Sequence, residues 1–413
     1  MTTINGHSLN GNGHAANGNG HASIDVAPST QVKTVHFSSK HPDLTLLYLD
    51  AATPASSSSN KPLIFYIHGG GFVVGDAYLI PAHLIALAQN MGAALVSVNY
   101  RLCPEVGIRN GVEDVEEAWQ YVFKGGLGQS FEASKTLIVG ASAGSHYAVQ
   151  MLLTTDPAAQ PAAFLNIYGA VGVDVSRYGQ PIPQSVLPHP LLDMPGGFPP
   201  LNQLIHNLYN KPEGASDNVS EWPAGASLKS GLLQPSEVRL GVLDQLLAKE
   251  KIDHPEKWEA FWAANGLSKS LYGDLQAGVR MKPEDIARSL LLPWGFRTGN
   301  FVEMLRDADA GQTLEESDVY LNITKRLQGA ADPASTGRLP PTMSVHGSAD
   351  VLVPPSVSEG FHAVMKARGE ESELLIVEGK EHGFDCGEWV FGQDDDVRKV
   401  DMWVRAKLGV TAA

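Results

Sequence analysis

The chain has 413 residues, of which 43% are hydrophobic and 18% charged, so it holds enough apolar side chains for a large buried core. Its 30 Lys and Arg residues against 45 Asp and Glu give a formal net charge of −15. A field of that sign repels nucleic acid and anionic membrane surfaces. The composition therefore excludes a chain that is disordered throughout, and it argues against nucleic-acid binding. Two cysteines, Cys103 and Cys386, are too few for a disulfide framework.

The first 30 residues are rich in Asn, Gly, Ser and Ala and repeat Asn-Gly-His three times. Such a composition cannot offset the entropy lost on ordering, so residues 1–30 are predicted to be a disordered tail. No apolar run of the chain approaches the roughly 18 residues that a membrane span needs. Residues 1–23 also lack the apolar centre of a secretory signal. We therefore expect a cytoplasmic protein with no membrane span.

Beyond the tail, short apolar runs alternate with segments of helical periodicity. The runs predict strands at residues 44–50, 63–67, 94–98, 136–139, 164–168, 343–346 and 374–377. The helical segments fall at residues 81–91, 112–123, 143–153, 356–368 and 397–408. This alternation predicts an α/β fold with a mostly parallel central sheet that carries helices on both faces.

Residues 172–338 interrupt the alternation, because they contain no convincing strand. A proline-dense entry between Pro181 and Pro200 leads into amphipathic helical segments, the clearest at residues 236–250. Since the βα alternation resumes afterwards, we predict a helical lid inserted at 172–338 into a core formed by residues 31–171 and 339–413. Its aromatic residues are expected to line an apolar acyl or ring pocket or, alternatively, to pack the lid against the core. They are Trp258, Phe261, Trp262, Trp294 and Phe296.

The sequence GASAG at residues 140–144 follows a predicted strand and opens a predicted helix. This is the context of the G-x-S-x-G nucleophile elbow, in which a sharp turn exposes a serine and requires nearly bare neighbours. The alternative is an ordinary strand-to-helix turn. The helix that follows would direct its N-terminus at the site and favour developing negative charge. We predict Ser142 as a nucleophile.

The sequence HGGGF at residues 68–72 ends another predicted strand. Three consecutive glycines can turn backbone N–H groups into a pocket, as an oxyanion hole requires. A flexible turn is the alternative. A Walker P-loop is excluded because no Lys-Ser or Lys-Thr follows, and the G-x-G-x-x-G spacing of dinucleotide sites is absent. Because Ser142 follows after one further βα unit, the oxyanion hole is the favoured interpretation.

A serine nucleophile needs a base, and the base needs an acid that orients it. Asp350 follows the predicted strand at 343–346, and His382 follows the one at 374–377. Ligands of open α/β sheets collect at the carboxyl ends of strands, where Ser142 also lies. We therefore predict the triad Ser142, His382 and Asp350, which has the chain order of the α/β-hydrolases. His346 is a rival base, but it is expected to belong to the turn.

The chain resembles the hormone-sensitive-lipase-like branch of the α/β-hydrolase carboxylesterases. The resemblance is carried by HGGGF, by YRLCPE at residues 100–105 and by GASAG, in the order of that branch. It implies that Gly69, Gly70 and Ala143 donate the oxyanion N–H groups. Phe72, at the end of the glycine motif, is a candidate substrate contact. The resemblance also implies structural roles for Arg101 and Glu105.

Two departures from that branch concern Ala141, which replaces its usual Asp, and Ser145, which replaces its usual Gly. They leave the triad intact and put the fine substrate preference in doubt. A third departure is length, since about 200 residues separate Ser142 from Asp350. The surplus over one βαβ unit is the predicted lid.

These residues predict a serine hydrolase that cleaves a small apolar carboxylic ester or a related acyl substrate, such as a specialised metabolite, with no metal or organic cofactor. Several alternatives stay open on the same site: acyl transfer to an alcohol or amine, thioester or amide cleavage, and elimination, condensation or cyclisation. A ligand receptor on an inactive hydrolase fold is a further alternative, although it need not keep all three triad residues. A homodimer also stays open.

Overall fold

The computed structural model describes residues 31–50, 61–77, 79–103, 106–187, 291–305, 321–329, 337–386, 389 and 394–410. The predicted tail at 1–30, most of the predicted lid and its helix at 236–250 lie outside these residues. Within the described ranges, no helix is long and apolar enough to cross a membrane.

The core is one eight-stranded sheet. Its strands are β1 Gln31–His36, β2 Thr45–Asp50, β3 Leu63–Ile67, β4 Ala94–Val98, β5 Thr136–Ala141, β6 Ala163–Ile167, β7 Thr342–Gly347 and β8 Ser372–Val377. They are ordered β1-β2-β4-β3-β5-β6-β7-β8. Strand β2 runs antiparallel to β1 and β4, and all other neighbours are parallel. The predicted α/β fold with a mostly parallel sheet is confirmed.

Strand β1 was not predicted from the sequence. Among the described strands it lies at the edge of the sheet, where it pairs with β2 along the register from Gln31–Asp50 to His36–Thr45. Its two valines, Val32 and Val35, are separated by three positions, so they do not show the two-residue period that marks a half-buried strand. The strand is therefore defined by its pairing with β2.

The helices of the described ranges connect and cover the strands. They are α1 Ala82–Met91, α2 Ile108–Phe123, α3 Ala143–Thr154, α4 Val175–Tyr178, α5 Leu291–Thr298, α6 Phe301–Leu305, α7 Ile323–Gly329, α8 Pro355–Ala367 and α9 Asp395–Leu408. Helix α2 begins one turn before the predicted residue 112. Its first turn contains Gly111, a weak helix former, but a Cβ there would lie 2.6 Å from the Tyr147 hydroxyl of α3. Close packing of α2 on α3 explains that glycine.

The two faces of the sheet bury two separate apolar layers. In β3, Leu63, Phe65 and Ile67 face the layer formed with α2, α3 and α8. Ile64 and Tyr66 face the layer formed with α1 and α9. This two-residue alternation places helices on both sides of the sheet, so the carboxyl ends of the parallel strands remain open as one edge.

The described parts of the insertion include the helices α4, α5, α6 and α7. Tyr178 of α4, Phe296 of α5 and Phe301 of α6 form an aromatic cluster with ring centroids 4.3–5.9 Å apart. All three rings belong to the same buried layer as α2 and α3. Apolar packing therefore joins the ends of the insertion to the core.

Candidate active site

Ser142 stands alone between the end of β5 and the start of α3. Its φ of 52° and ψ of −118° lie in a region that non-glycine residues rarely adopt, at a cost of about 1–3 kcal/mol. The turn is held by backbone hydrogen bonds. The Ser142 N–H donates to Ile167 O at 2.9 Å, and its carbonyl accepts from Ala170 N at 2.9 Å and Ser145 N at 3.1 Å. The geometry is that of a nucleophile elbow.

The two glycines that flank the elbow have no room for side chains. A Cβ at Gly140 would lie 2.5 Å from Ser145 Cα, and one at Gly144 would lie 2.1 Å from Ile67 O of β3. Ser145, which departs from the usual glycine, fits because its hydroxyl donates to the carbonyl of Gly140 at 2.6 Å. Close contacts on both sides of the turn therefore explain the two glycines of the GASAG sequence.

The predicted triad residues lie within hydrogen-bonding distance of one another. His382 Nε2 is 3.0 Å from Ser142 Oγ, and His382 Nδ1 is 2.7 Å from Asp350 Oδ2. Asp350 lies in the loop after β7 and His382 in the loop after β8, at the same sheet edge as the elbow after β5. The nucleophile–base–acid order along this chain of hydrogen bonds is that of a serine hydrolase triad.

The glycine loop after β3 runs alongside the nucleophile. A Cβ at Gly69 would lie 3.2 Å from Ser142 Cβ. Gly70, Gly71 and Phe72 all have positive φ, of 114°, 57° and 69°. The Gly70 carbonyl closes the turn by accepting from Val73 N and Val74 N at 3.1 and 3.0 Å. Because Gly69 has no side chain, the backbone of the loop lies directly against Ser142.

We expect Gly70→Ala to destabilise the loop. The new Cβ would lie 1.8 Å from the Val74 carbonyl oxygen at a φ of 114°, so the backbone must move. The cost should be about 2 kcal/mol or more. Thermal unfolding and ester turnover would both be measured, with Gly329→Ala as the control, since a Cβ there meets nothing within 4 Å. A Gly70→Ala protein with wild-type melting temperature and turnover would contradict the described loop.

His68, at the start of the glycine loop, is held by contacts with Tyr100 and Gly69. Its ring stacks on Tyr100 at 4.2 Å, its Nδ1–H donates to Gly69 O at 2.7 Å, and the Tyr100 hydroxyl donates to His68 O at 2.8 Å. Complete burial lowers the pKa of His68 to about 4, against a weaker opposing effect of the Gly69 hydrogen bond. The ring is therefore neutral near pH 7 and acts as scaffold.

The segment that carries Tyr100 is itself anchored. Arg101 donates from Nε and Nη2 to the Asp114 carboxylate of α2 at 2.7–3.0 Å, and Asp114 is buried. A paired guanidinium and carboxylate of this kind fix the loop relative to the helix. Arg101 thus lies in a structural ion pair, as the resemblance implied, whereas Glu105 lies outside the described residues.

Two family models match the chain. Residues 64–213, with the glycine loop and Ser142, match a family of alpha/beta hydrolase fold, and residues 303–411, with Asp350 and His382, match the prolyl oligopeptidase family. Probable carboxylesterase M8 of Phoma sp. is 29% identical over 158 residues, which are 36% of this chain and 49% of that protein. The chain has the α/β-hydrolase fold, and these matches support its carboxylesterase-like branch.

This α/β-hydrolase also matches segments of much larger proteins. Non-reducing polyketide synthase pkbA of Emericella nidulans is 25% identical over 377 residues, 86% of this chain and 13% of the synthase. Non-reducing polyketide synthase Preu3 of Preussia isomera is 27% identical over 375 residues, 88% of this chain and 13% of the synthase. The chain therefore spans about an eighth of the length of these relatives.

Solved structures share the fold of this α/β-hydrolase at low sequence identity. A thermophilic carboxylesterase cloned from a metagenomic library superposes with a TM-score of 0.50 at 17% identity, covering 92% of this chain and 89% of that one. A bacterial heroin esterase superposes with a TM-score of 0.50 at 15% identity, covering 93% and 87%. Both likenesses show the fold.

Asp350 is the acidic member of the hydrogen-bonded chain in this α/β-hydrolase. Burial alone would raise its pKa, but hydrogen bonds from His346, His382 and the Val353 N–H outweigh burial and hold the pKa at about 2. The carboxylate is therefore ionised at neutral pH. Because its native pKa is depressed, the stability that it contributes is present above its ordinary pKa and is lost as the pH falls through about 2.

Two buried histidines near the site of the α/β-hydrolase, His346 and His146, were weighed against His382 as the base. His346 bonds through Nδ1 to Ser358 Oγ at 2.7 Å and through Nε2 to Val353 O at 2.8 Å. His146, one turn into α3, packs edge-on against Phe72, and burial lowers its pKa to about 3. It is His382 that hydrogen-bonds to Ser142. The predicted structural positions of His146 and His346 agree with these contacts.

A cavity of about 130 Å³ opens beside Ser142 and His382. Its other described lining residues are Gly70, Gly71, Phe72, Ala170, Gly172, Val173, Tyr178, Leu292, Phe296, Phe301, Leu352 and Val353. Phe72 and Phe296 thus line the cavity, whereas Trp294, buried in the same apolar layer, is not among its described lining residues. The predicted contacts at Trp258, Phe261 and Trp262 lie outside the described residues.

Several side chains of the site were not predicted. Tyr178, Leu292 and Phe301 line the cavity, and the Tyr168 ring lies 4.6 Å from that of His382. The Tyr168 hydroxyl donates to the buried carboxylate of Asp385. A signal for Tyr168 was present, because it directly follows β6, whose carboxyl end lies beside the elbow. The other three depend on how the insertion folds back.

Proposed function

We propose that this α/β-hydrolase cleaves carboxylic esters through an acyl-enzyme on Ser142. The observation that carries the proposal is the pair of hydrogen bonds from Ser142 to His382, at 3.0 Å, and from His382 to Asp350, at 2.7 Å, beside an apolar cavity. The carboxylesterase relatives support the same reaction class.

The first half of the reaction forms the acyl-enzyme. His382 Nε2 takes the proton of the Ser142 hydroxyl as Oγ attacks the ester carbonyl carbon. Asp350 stabilises the resulting imidazolium and keeps Nδ1 protonated, so that Nε2 is the basic nitrogen. The imidazolium then returns the proton to the departing alkoxide. The alcohol leaves and the acyl group stays on Ser142.

The oxyanion of each tetrahedral intermediate is assigned to the backbone N–H groups of Gly69, Gly70 and Ala143. Ala143 is the first residue of α3, whose first N–H groups have no partner within the helix and form its positive end. Gly70 lines the cavity, and Gly69 lies against Ser142. In the second half, water loses a proton to His382, attacks the acyl carbon and releases the acid.

The substrate is proposed to carry an apolar group into the cavity. No charged carboxylate, ammonium or guanidinium side chain is among the described lining residues, and most of the lining is aliphatic or aromatic. A dry cavity of about 150 Å³ holds a benzene ring. The 130 Å³ here therefore suit one ring or a short alkyl chain next to the reacting carbonyl.

Enlarging the cavity should shift selectivity among acyl groups. Phe296→Ala and Phe301→Ala remove rings from its wall, so kcat/KM for a p-nitrophenyl ester with a bulky acyl group should rise about 10-fold relative to the acetate. Phe123→Ala is the matched control, because that ring packs on Trp119 of α2. If both cavity variants changed every ester by the same factor while remaining folded, the cavity would not be the acyl site.

A second candidate is that the acyl donor is a thioester or ester of a polyketide, which is hydrolysed or passed to an acceptor. It is favoured by the extent of the matches, since the two polyketide synthases match 86% and 88% of this chain and the Phoma carboxylesterase 36%. The same acyl-enzyme serves both candidates. Only the leaving group and the acceptor differ.

The two candidates are separated by paired substrates. Matched p-nitrophenyl esters and N-acetylcysteamine thioesters of the same acyl groups would be compared by kcat/KM, with products identified by mass with and without an added alcohol. Preference for oxygen esters and free acid as product support the first candidate. Preference for thioesters, or transfer to the alcohol, supports the second. If the protein turned over neither class of substrate and did not react with a fluorophosphonate, both candidates would be refuted. That result is the one expected of a ligand receptor on an inactive hydrolase fold.

A further inference from the structure

We propose that His346 is a positioning residue that holds Asp350 in the orientation that the triad requires. His346 lies in β7, four residues before Asp350, and its ring is fully buried. The inference rests on the proposed function, because the orientation of Asp350 matters to catalysis only if His382 serves Ser142 as its base.

The hydrogen bonds of the ring set its protonated nitrogen. His346 Nε2 faces two acceptors, Val353 O at 2.8 Å and Asp350 Oδ2 at 3.2 Å, so this nitrogen must carry a proton. The other nitrogen, Nδ1, lies 2.7 Å from Ser358 Oγ of α8, whose hydroxyl can donate to it. A ring with its proton on Nε2 therefore satisfies both nitrogens and presents an N–H to the loop that carries Asp350.

The Nε2–H of His346 holds the loop at residues 350–353 in a turn around the Asp350 carboxylate. Val353 and Leu352 donate their backbone N–H groups to Asp350 Oδ1 at 2.9 Å each. Because His346 holds the Val353 carbonyl, the residue whose N–H binds Oδ1 is tied back to the sheet. Oδ2 then faces the two histidines, with His382 Nδ1 at 2.7 Å. Both carboxylate oxygens are thus fixed in direction.

Loss of His346 would leave the buried Val353 carbonyl without this donor. It would also remove one of the two histidine contacts of Asp350 Oδ2. The Asp350 carboxylate could then turn away from His382, which weakens the bond that orients the base. His346 itself is not among the described lining residues of the cavity, and Leu352 and Val353, which are, keep their N–H bonds to Oδ1, so we expect substrate contacts to change little. The expected signature is therefore a fall in kcat with little change in KM. Removing the supporting partner of a metal-binding histidine typically costs 10–100-fold, and we expect about that range here.

The test compares four variants of the full chain. His346→Leu fills much of the volume without a donor, whereas His346→Gln places an amide N–H₂ near the position of Nε2. Ser358→Ala keeps the imidazole but removes the partner of Nδ1. The matched control is His362→Leu, because His362 makes the same kind of bond, from Nδ1 to Ser372 Oγ at 2.8 Å, elsewhere on α8. For each protein, kcat and KM on one activated ester and the melting temperature would be measured.

A spectroscopic readout accompanies the kinetics. The proton between His382 Nδ1 and Asp350 should give a low-field proton NMR resonance, which reports that bond without any substrate. We expect His346→Leu to lower kcat about 10–100-fold with KM within about threefold, and to shift or broaden that resonance. His346→Gln should restore most of kcat and the resonance, Ser358→Ala should lower kcat at least about threefold, and His362→Leu should match the wild type.

A folded His346→Leu protein with kcat within about twofold of the wild type and an unchanged resonance would overturn the proposal. So would a folded His346→Gln protein that is as impaired as His346→Leu. If His346→Leu does not fold, an unchanged kcat and resonance in Ser358→Ala would overturn it instead. A wild-type protein that neither turns over esters nor reacts with a fluorophosphonate refutes the proposed function, and the resonance then still tests whether His346 orients Asp350 toward His382.

Discussion

Replacing Ser142 with alanine is expected to lower kcat on an activated ester by about 10⁶-fold, the size of loss seen when a triad serine is removed. The reason is that Ser142 Oγ is the oxygen bonded to His382 Nε2 at 3.0 Å. Without it, no acyl-enzyme can form, and only general stabilisation by the oxyanion site remains. The backbone hydrogen bonds of the elbow do not use the hydroxyl, so the melting temperature should change little.

Ser145→Ala is the matched control for that variant. Ser145 lies three residues later on the same turn, but its hydroxyl donates to the Gly140 carbonyl. Its loss should cost some stability and leave most of the turnover. If Ser142→Ala, free of contaminating esterase, retained more than a few per cent of wild-type kcat, a residue other than Ser142 would be the nucleophile.

Asp350→Asn is expected to lower kcat by about 10⁴-fold, as the same change does in a comparable triad. The carboxylate oxygen lies 2.7 Å from His382 Nδ1 and accepts a hydrogen bond from its N–H. An amide nitrogen in its place would be a donor and would favour the wrong tautomer of the imidazole. The variant also loses the negative charge that stabilises the imidazolium. Because the pKa of Asp350 is held at about 2, that charge is present at every pH at which the wild type would be assayed.

The control for Asp350→Asn is Asp174→Asn. The Asp174 side chain accepts from Ser176 N at the start of α4, a capping role that asparagine also fills. Turnover and melting temperature of this control should match the wild type. Equal turnover in Asp350→Asn and the wild type would mean that His382 is oriented by another group, and the assigned acid would be wrong.

The fold and the reacting residues could be predicted because each leaves a local pattern in the sequence. Buried parallel strands read as short apolar runs, and their carboxyl ends meet at one edge. Gly140 and Gly144 are required by contacts at 2.1–2.5 Å, so the elbow is visible as a five-residue motif. Asp350 and His382 follow consecutive strands, which places them together without knowledge of the side-chain contacts.

The remaining features depend on tertiary packing that no local sequence pattern shows. The sequence identified His346 as a rival base, but its bonds to Ser358 and Val353 arise only when α8 packs beside β7. Likewise, Tyr178 and Phe301 reach the cavity because two ends of the insertion return to the same sheet edge. No periodicity within either segment encodes that meeting. The cavity wall was therefore the least predictable part of the site.

Mapping the residue that reacts covalently is the most direct test of the proposed acyl-enzyme. The full chain would be treated with a fluorophosphonate, digested and sequenced by tandem mass spectrometry, beside the Ser142→Ala and Ser145→Ala variants. We predict a single adduct on Ser142, present in the wild type and in Ser145→Ala and absent from Ser142→Ala. An adduct on any other residue, or one that persists in Ser142→Ala, would contradict the assignment of Ser142 as the nucleophile.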